Sequence, residues 1–338
     1  MISLEEIKKL IEDAENPLIF FDDDPDGLCS YLLIKRYFKK GCGVFLKSSP
    51  ELGEDYVKKA KEFCPDLIII LDKPKVSQEF IDKITVPIIY IDHHKPCEIK
   101  GVKYFNPRIK NENDDRPTSY WCYELVKNDL WVAMVGIVGD WCLSNVQEFS
   151  KKYKDLLPIK FKNPDDVLFE SKFGELVKIF SFILKGNTSD INKAIGILTR
   201  IESPYEILDQ TTPRGKFIYK QAQKMKKEYD YLLEDILENI NKKNKFIIYI
   251  YTTNKNSYTS MLSNELLHGF KDRIIIIGRE KSGEIRMSLR SSKKKLPKVI
   301  EKALEGLEGY GGGHDYACGA CVKKGDFNEF ISRLRKYL

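Results

Sequence analysis

Long apolar runs are missing from this sequence. No stretch approaches the roughly 20 residues that a membrane-spanning helix needs, and no secretory pattern opens the chain. The expectation is a cytoplasmic protein with no membrane partner. A cysteine framework is lacking too: the eight cysteines, at positions 29, 42, 64, 97, 122, 142, 318 and 321, follow no regular spacing and read as reduced thiols. The close pair Cys318 and Cys321 has no second pair to complete a tetrahedral zinc site. Its neighbours Ala317, Gly319, Ala320 and Val322 suit a buried strand instead. No fixed-period repeat and no low-complexity tract occurs. Neither charge dominates, since 56 Lys and Arg stand against 50 Asp and Glu; the balance of +6 permits a phosphate-rich partner without demanding one. Histidine is scarce, with four in 338 residues, so the adjacent pair His93-His94 stands out.

What is present is enough for two domains, each with its own core. Met1 leads into an amphipathic stretch, Leu4 to Ala14. Short apolar runs then alternate with helical patterns over the first 145 residues. Pro17–Phe21, Asp66–Leu71 and Val86–Ile91 are continuous runs rich in β-branched residues, the pattern of buried parallel strands in an α/β sheet. Leu28–Phe38 has helical spacing. From Phe149 to Thr212 the pattern is helical, and Arg214–Lys245 predicts one long, charged helix after Pro213. A second α/β unit follows, with strands over 246–251, 273–278, 284–289 and 317–322 and helices over 260–269, 298–307 and 327–338.

Each of the three N-terminal apolar runs ends in acid. Pro17–Phe21 runs into Asp22-Asp23-Asp24-Pro25-Asp26-Gly27, Asp66–Leu71 into Asp72, and Val86–Ile91 into Asp92-His93-His94. Ligands of open parallel sheets bind beyond the carboxyl ends of strands, so these clusters converge on one edge of one sheet. Asp24 and Asp26, one residue apart on a turn stiffened by Pro25, can both point into one pocket, and Gly27 gives the backbone room to enter a helix. Asp140 adds a carboxylate after the apolar segment Trp131–Gly139. Carboxylates suit magnesium or manganese, and imidazole shifts the preference toward manganese or a similar transition metal. The run Asp22–Asp26 lacks the later glutamate of a calcium loop. Two such ions can clamp a phosphoryl oxygen, activate a bridging water and stabilise a leaving oxygen.

Gly311-Gly312-Gly313-His314 is the second chemical feature. Successive glycines let backbone N–H groups converge on an anion, and His314 can donate to a phosphate. Just upstream, Arg286, Ser288 and Arg290 share one face of an alternating strand, a set suited to phosphate or base contacts.

Taken in order, Asp22-Asp23-Asp24-Pro25-Asp26-Gly27 with Ser30, Asp72, Asp92-His93-His94, Asn106-Pro107, Gly136-Ile-Val-Gly139-Asp140, Ser288-Leu289-Arg290 and Gly311-Gly312-Gly313-His314 resemble the DHH phosphoesterase superfamily with its DHH-associated C-terminal domain. The resemblance covers nearly the whole chain. The Asp-x-Asp-x-Asp-Gly opening is similar to the RecJ-like exonucleases. The short length, without an obvious oligonucleotide-binding barrel, is similar to their compact archaeal group, which includes the nuclease that associates with the helicase-nuclease Hef. The resemblance implies an α/β protein: a parallel-sheet DHH catalytic domain with a helical C-terminal part over 1–210, a linker helix over 211–245, and a smaller α/β substrate-binding domain over 246–338.

It also implies roles. Asp24 would hold a first metal, Asp26, His93 and Asp140 a second, and Asp72 would bridge them. His94 would face the scissile phosphate with Asp92 orienting it, and Asp22 would join the catalytic group. Arg286, Ser288, Arg290, Gly311, Gly312, Gly313 and His314 would hold substrate. Many members carry a histidine four residues before the aspartate at the position of Asp24; Phe20 stands there, which leaves the first metal one ligand short. The implied cofactor is manganese at two sites, with magnesium as the alternative. The implied activity is single-strand-specific exonuclease action on phosphodiester bonds of DNA or RNA, in repair or replication. The implied partners are the single strand and a helicase or replication and repair factor, with oligomerisation open. Two alternatives stay open: an oligoribonuclease, or a dinucleotide phosphodiesterase or nucleotide phosphatase, acting on very short substrates, and a catalytically weak single-strand-binding subunit.

Overall fold

Three of the apolar runs form the centre of a parallel sheet, because a strand covered on both faces needs apolar residues at every position. A computed structural model describes the chain except residues 48–50, 159–160, 162, 242–243 and 253–255. The chain divides into two units, Met1–Ala222 and Gln223–Leu338. In the first, the described sheet consists of β1 (Pro17–Asp22), β2 (Cys42–Leu46), β3 (Leu67–Leu71), β4 (Ile88–Ile91) and β5 (Lys103–Phe105). All pair in parallel, in the order β2-β1-β3-β4-β5. β5 is too short and too polar to register as an apolar run in the sequence. Every residue of β3 and β4 is buried.

Helix α1 (Leu4–Asp13) carries a capping box between Ser3 and Glu6 and buries Ile7 and Ile11. Helix α2 (Pro25–Phe38) begins with Asp24 as its N-cap and Pro25 at its first position. Its Tyr31 stacks on Phe21 of β1, so α2 covers the face that Ile19 and Phe21 present. Phe20 points the other way, into a core with Ile68, Ile70, Phe80 and Tyr90. Helices α3 (Thr118–Val126) and α4 (Leu130–Gly139) pack against α2. Gly136 and Gly139 permit that closeness. A Cβ on Gly136 would lie 2.5 Å from Ser119 Oγ, and one on Gly139 would lie 2.8 Å from Pro25 Cβ. The C-terminal end of α4 therefore comes down on the turn that carries Asp24.

The helical pattern from Phe149 to Thr212 breaks into short helices at 146–152, 164–170, 172–183, 188–198 and 204–208, with residues 159–160 and 162 outside the described part. Helix α5 (Pro213–Asn239) ends six residues before the expected Lys245, of which 242–243 lie outside the described residues. The division between the units falls within α5.

The second unit has a mixed sheet of β6 (Phe246–Thr252), β7 (Ile274–Lys281), β8 (Glu284–Ser291), β9 (Gly309–His314) and β10 (Ala317–Lys323), in the order β9-β10-β8-β7-β6. β6 and β7 pair in parallel, the other neighbours antiparallel. Helix α6 (Thr259–Gly269) packs on β7 and β8, and helix α7 (Pro297–Leu304) packs on β9 and on helix α8 (Phe327–Tyr337). The Cys318–Cys321 segment is strand, as its small neighbours suggested, and both thiols are buried and free. One expectation changes. The glycine run is not a loop that gathers N–H groups around an anion. It is an edge strand in which Gly311 pairs with Ala320, Gly312 with Gly319 and Gly313 with Cys318, and successive N–H groups of an extended strand point to opposite sides.

Phe20 sits edge-on to Tyr56 and Phe80, at centroid distances of 6.1 and 5.8 Å, and is fully buried. Replacing it with histidine puts a polar ring into that aromatic contact. Phe20→Ala and Phe20→His should each lower the unfolding free energy by about 3 kcal/mol in urea titrations. A Phe20→His protein as stable as wild type would contradict this packing.

Candidate metal centre

The order β2-β1-β3-β4-β5 reverses between β1 and β3, which opens a crevice beyond their carboxyl ends. Asp24 follows β1, Asp72 follows β3 and His93 follows β4, so three loops empty into that crevice. Asp140, the C-cap of α4, arrives from above. Nε2 of His93 lies 3.9 Å from Asp26 Oδ2, 3.4 Å from Asp72 Oδ1 and 3.5 Å from Asp140 Oδ2. Oxygen and nitrogen atoms bound to a common ion at about 2.2 Å lie about 3.1 Å apart when adjacent and about 4.4 Å apart when opposite. These separations fit a shared cation better than direct hydrogen bonds. Nδ1 of His93 is buried and has no hydrogen-bond partner among the described residues. Burial pushes the His93 imidazole toward its neutral form, the form that binds metal.

The carboxylates are held by the surrounding backbone and side chains. Asp26 is buried and accepts the Thr118 and Ser119 N–H groups, one on each oxygen, both at 2.8 Å. These donors head α3, where N–H groups lack partners within the helix. Thr118 Oγ1 also donates to Asp72 Oδ1 at 3.2 Å. Asp72 itself takes a left-handed backbone, φ 57°. Asp24 accepts the Gly27 N–H at 2.9 Å. Burial, then the charges of Asp22 and Asp26, push the Asp24 carboxyl up to about 7. Asp72 and Asp140 rise well above the ordinary carboxylate range, first through burial and then through the charges of Asp26 and Asp24. Carboxyl groups that resist ionising beside one another form a site that takes a cation in place of protons.

Asp92 and Asp22 face elsewhere. Asp92 is buried against His94: its Oδ1 lies 2.8 Å from His94 Nδ1, and its Oδ2 accepts the His94 N–H at 3.1 Å and an Asn106 Nδ2 proton at 3.2 Å. Burial pulls the His94 imidazole down, but the bond to Asp92 and its charge outweigh that and raise it. Asp92 thus strengthens the hold of His94 on its proton. Asp22 is engaged by the ammonium of Lys73, 2.6 Å away. Sequence reasoning did not single out Thr118, Ser119 or Lys73. The first two had a signal, a Pro-Thr-Ser helix start; Lys73, next to Asp72, had none.

In the second unit, Arg290 is held from several sides. Its Nε donates to Asn264 Oδ1 at 2.6 Å, one terminal nitrogen to Ser260 Oγ at 3.0 Å, and the other to the carbonyls of Leu289 and Cys318 at 3.0 and 3.3 Å. Ser288 donates to Thr259 Oγ1 at 3.0 Å. Arg286 is exposed beside Glu284. By register, Arg286, Ser288 and Arg290 share a sheet face with Cys321, Gly319 and Ala317 and with Tyr310, Gly312 and His314. Gly312 and His314 thus lie on the arginine face, while Gly311 and Gly313 turn toward the opposite one.

Residues 16–158 match the DHH family, N-terminal domain, and residues 236–338 match the DHHA1 domain. The chain belongs to the DHH superfamily. Its fold is RecJ-like. It is similar to manganese-bound RecJ from Thermus thermophilus, at a TM-score of 0.67 and 14% identity, over 99% of this chain and 54% of that one. The chain thus spans about half the length of that RecJ. It is also similar to the DHH domain of a protein described as a member of a family of ribosomal proteins (TM-score 0.71, 15% identity, 99% of this chain and 89% of that one). A pGpG-specific phosphodiesterase from Vibrio cholerae gives a TM-score of 0.53 at 15% identity, over 96% of this chain and 98% of that one. No curated protein sequence matches the chain. The DHH motif residues of this chain are thus Asp92, His93 and His94, and among them it is His93 that meets the carboxylates of Asp26, Asp72 and Asp140.

The carboxyl shifts set the sign of a pH effect. A group whose proton affinity is raised by folding stabilises the fold below its ordinary range and loses that contribution as pH rises, for Asp24 through about 7. Metal-free protein should therefore lose this contribution between about pH 4 and about pH 7, and a bound cation should restore it. The rise in melting temperature on adding manganese should be larger at about pH 8 than at about pH 5. A shift of equal size at both pH values would remove the carboxyl cluster from the binding site.

Proposed function

We propose that this chain is a metal-dependent phosphodiesterase that removes nucleotides stepwise from an end of single-stranded DNA or RNA. The observation that carries the proposal is the convergence of His93 Nε2 with the carboxylates of Asp26, Asp72 and Asp140. These residues, with Asp24, would hold manganese or magnesium. When bound, such an ion polarises a phosphoryl oxygen and lowers the pKa of a coordinated water.

The chain's own groups supply the rest. His94, whose hold on its proton Asp92 strengthens, donates to a phosphate oxygen and stabilises the charge that builds there in the transition state. Asp92 fixes which imidazole nitrogen faces inward, and Asn106 holds Asp92 in turn. Asp26 cannot swing, because two backbone N–H groups hold it, so its side of the site is set before substrate arrives. In the second unit, Arg290 and His314 are the groups for phosphate. Tyr310, exposed on the same sheet face, offers a ring on which a base can stack.

A second reading has one observation behind it. The chain matches the pGpG-specific phosphodiesterase along nearly all of both chains. By that likeness the substrate would be very short, a dinucleotide.

One panel separates the two. End-labelled DNA and RNA single strands and dinucleotides are incubated with manganese or magnesium. Stepwise shortening of long strands is expected; turnover of dinucleotides alone would select the second reading. Asp72→Ala should reduce turnover at least about a hundred- to thousandfold, and Asp92→Asn about 10- to 100-fold. An Asp72→Ala protein of unchanged rate excludes catalysis at this centre.

A further inference from the structure

We propose that Lys73 is a resident cation that occupies the Asp22 end of the centre, so that the chain holds one divalent ion tightly, at Asp26, Asp72, His93 and Asp140, in place of two. The inference rests on the metal-dependent reading above and concerns how many ions that centre takes.

The two ends of the carboxylate cluster are built differently. At the His93 end, one imidazole nitrogen faces three carboxylate oxygens within 3.9 Å. Four side chains from four loops meet there, an adequate set for one ion with room left for water or a phosphate oxygen. At the other end the donors are already committed. The Asp22 carboxylate binds the Lys73 ammonium at 2.6 Å. One oxygen of Asp24 accepts the Gly27 N–H. Phe20, on the strand just before Asp22, is an aromatic core residue that offers no ligand. What remains is the other side of Asp24.

Lys73 is no surface lysine that has drifted inward. Its side chain is 1% exposed, and a buried ammonium persists only where a carboxylate neutralises it. Its backbone is fixed as well: it follows Asp72, whose left-handed φ turns the chain, and its carbonyl accepts the Tyr90 hydroxyl. The side chain thus leaves the loop that presents Asp72 and reaches the carboxylate at the end of β1. An ion held by Asp22 and Asp24 would have to sit beside this fixed positive charge, and both the repulsion and the loss of the Lys73–Asp22 pair oppose it. Lys73 supplies one positive charge there permanently.

The test counts ions. Wild-type protein, stripped of metal, is titrated with manganese by calorimetry and by the paramagnetic resonance signal of the bound ion. One tight ion per chain is expected, with the spectrum of an isolated manganese. Lys73→Gln and Lys73→Met, checked for folding by circular dichroism, should admit a second ion and give the coupled spectrum of a pair. Two tight ions in wild type would overturn the Lys73 inference and leave the hydrolase reading standing, and so would folded Lys73 variants that still take one. No manganese binding by wild type would overturn both. If neither variant folds, the wild-type count and spectrum decide alone.

Discussion

Like charges buried together are the constraint on which the first unit depends. Asp24 and Asp26 come from one turn and Asp72 and Asp140 from two further loops, and they meet where Asp26 and Asp72 are 1% exposed and the Asp140 side chain 34%. The charge of Asp26 tightens the hold of the other three on their protons, and that of Asp24 does the same for Asp72 and Asp140. The fold answers with rigid positive partial charge. The first N–H groups of α3 grip Asp26, the Gly27 N–H grips Asp24, and a hydroxyl from Thr118 reaches Asp72. Asp72 keeps a left-handed backbone that costs a non-glycine residue on the order of 1 kcal/mol or more. Such a conformation persists only where surrounding contacts determine it, here the Thr118 bond on one side and the imidazoles of His93 and His94 on the other.

This dependence explains which parts could be read from the sequence. The ends of β1, β3 and β4 were legible because a strand buried on both faces must be apolar throughout, so the first acid after it marks the edge of the sheet. The convergence of Asp24, Asp72 and His93 followed from parallel packing alone. The strand order did not, because crossover helices leave no mark that says on which side of β1 the next strand lies. Lys73 was illegible for a different reason: whether a lysine after a strand is solvated or buried depends on a partner 51 residues away. Thr118 and Ser119 act through backbone N–H groups, which every residue but proline has. Only their place at a helix start made them useful.

In the second unit the glycines divide by face. A Cβ on Gly311 would come within 2.8 Å of Ile300 on α7, and one on Gly313 within 2.6 Å of the Ala317 carbonyl. Those two are glycines because the strand lies close against its neighbours. Gly312 has open space around a Cβ position, and Gly319, its partner across the ladder, meets nothing nearer than 3.8 Å. No packing demand requires glycine at either. Together they leave bare backbone on the face that Arg290, His314 and Tyr310 also share. The sequence motif thus merges two causes that only the pairing register separates.

The centre's sources of positive charge differ in how readily they leave, and that difference orders their roles. Lys73 is covalently attached and buried against Asp22, so its charge stays with the chain. Asp92 strengthens the hold of His94 on its proton, yet solvent can exchange it, as would suit a group beside a phosphate whose charge changes during reaction. A divalent ion held at His93 would be a ligand of the chain, not part of it, and could accept a substrate oxygen as a further ligand. Placing the permanent charge away from the histidines leaves the exchangeable charges where a phosphodiester would enter.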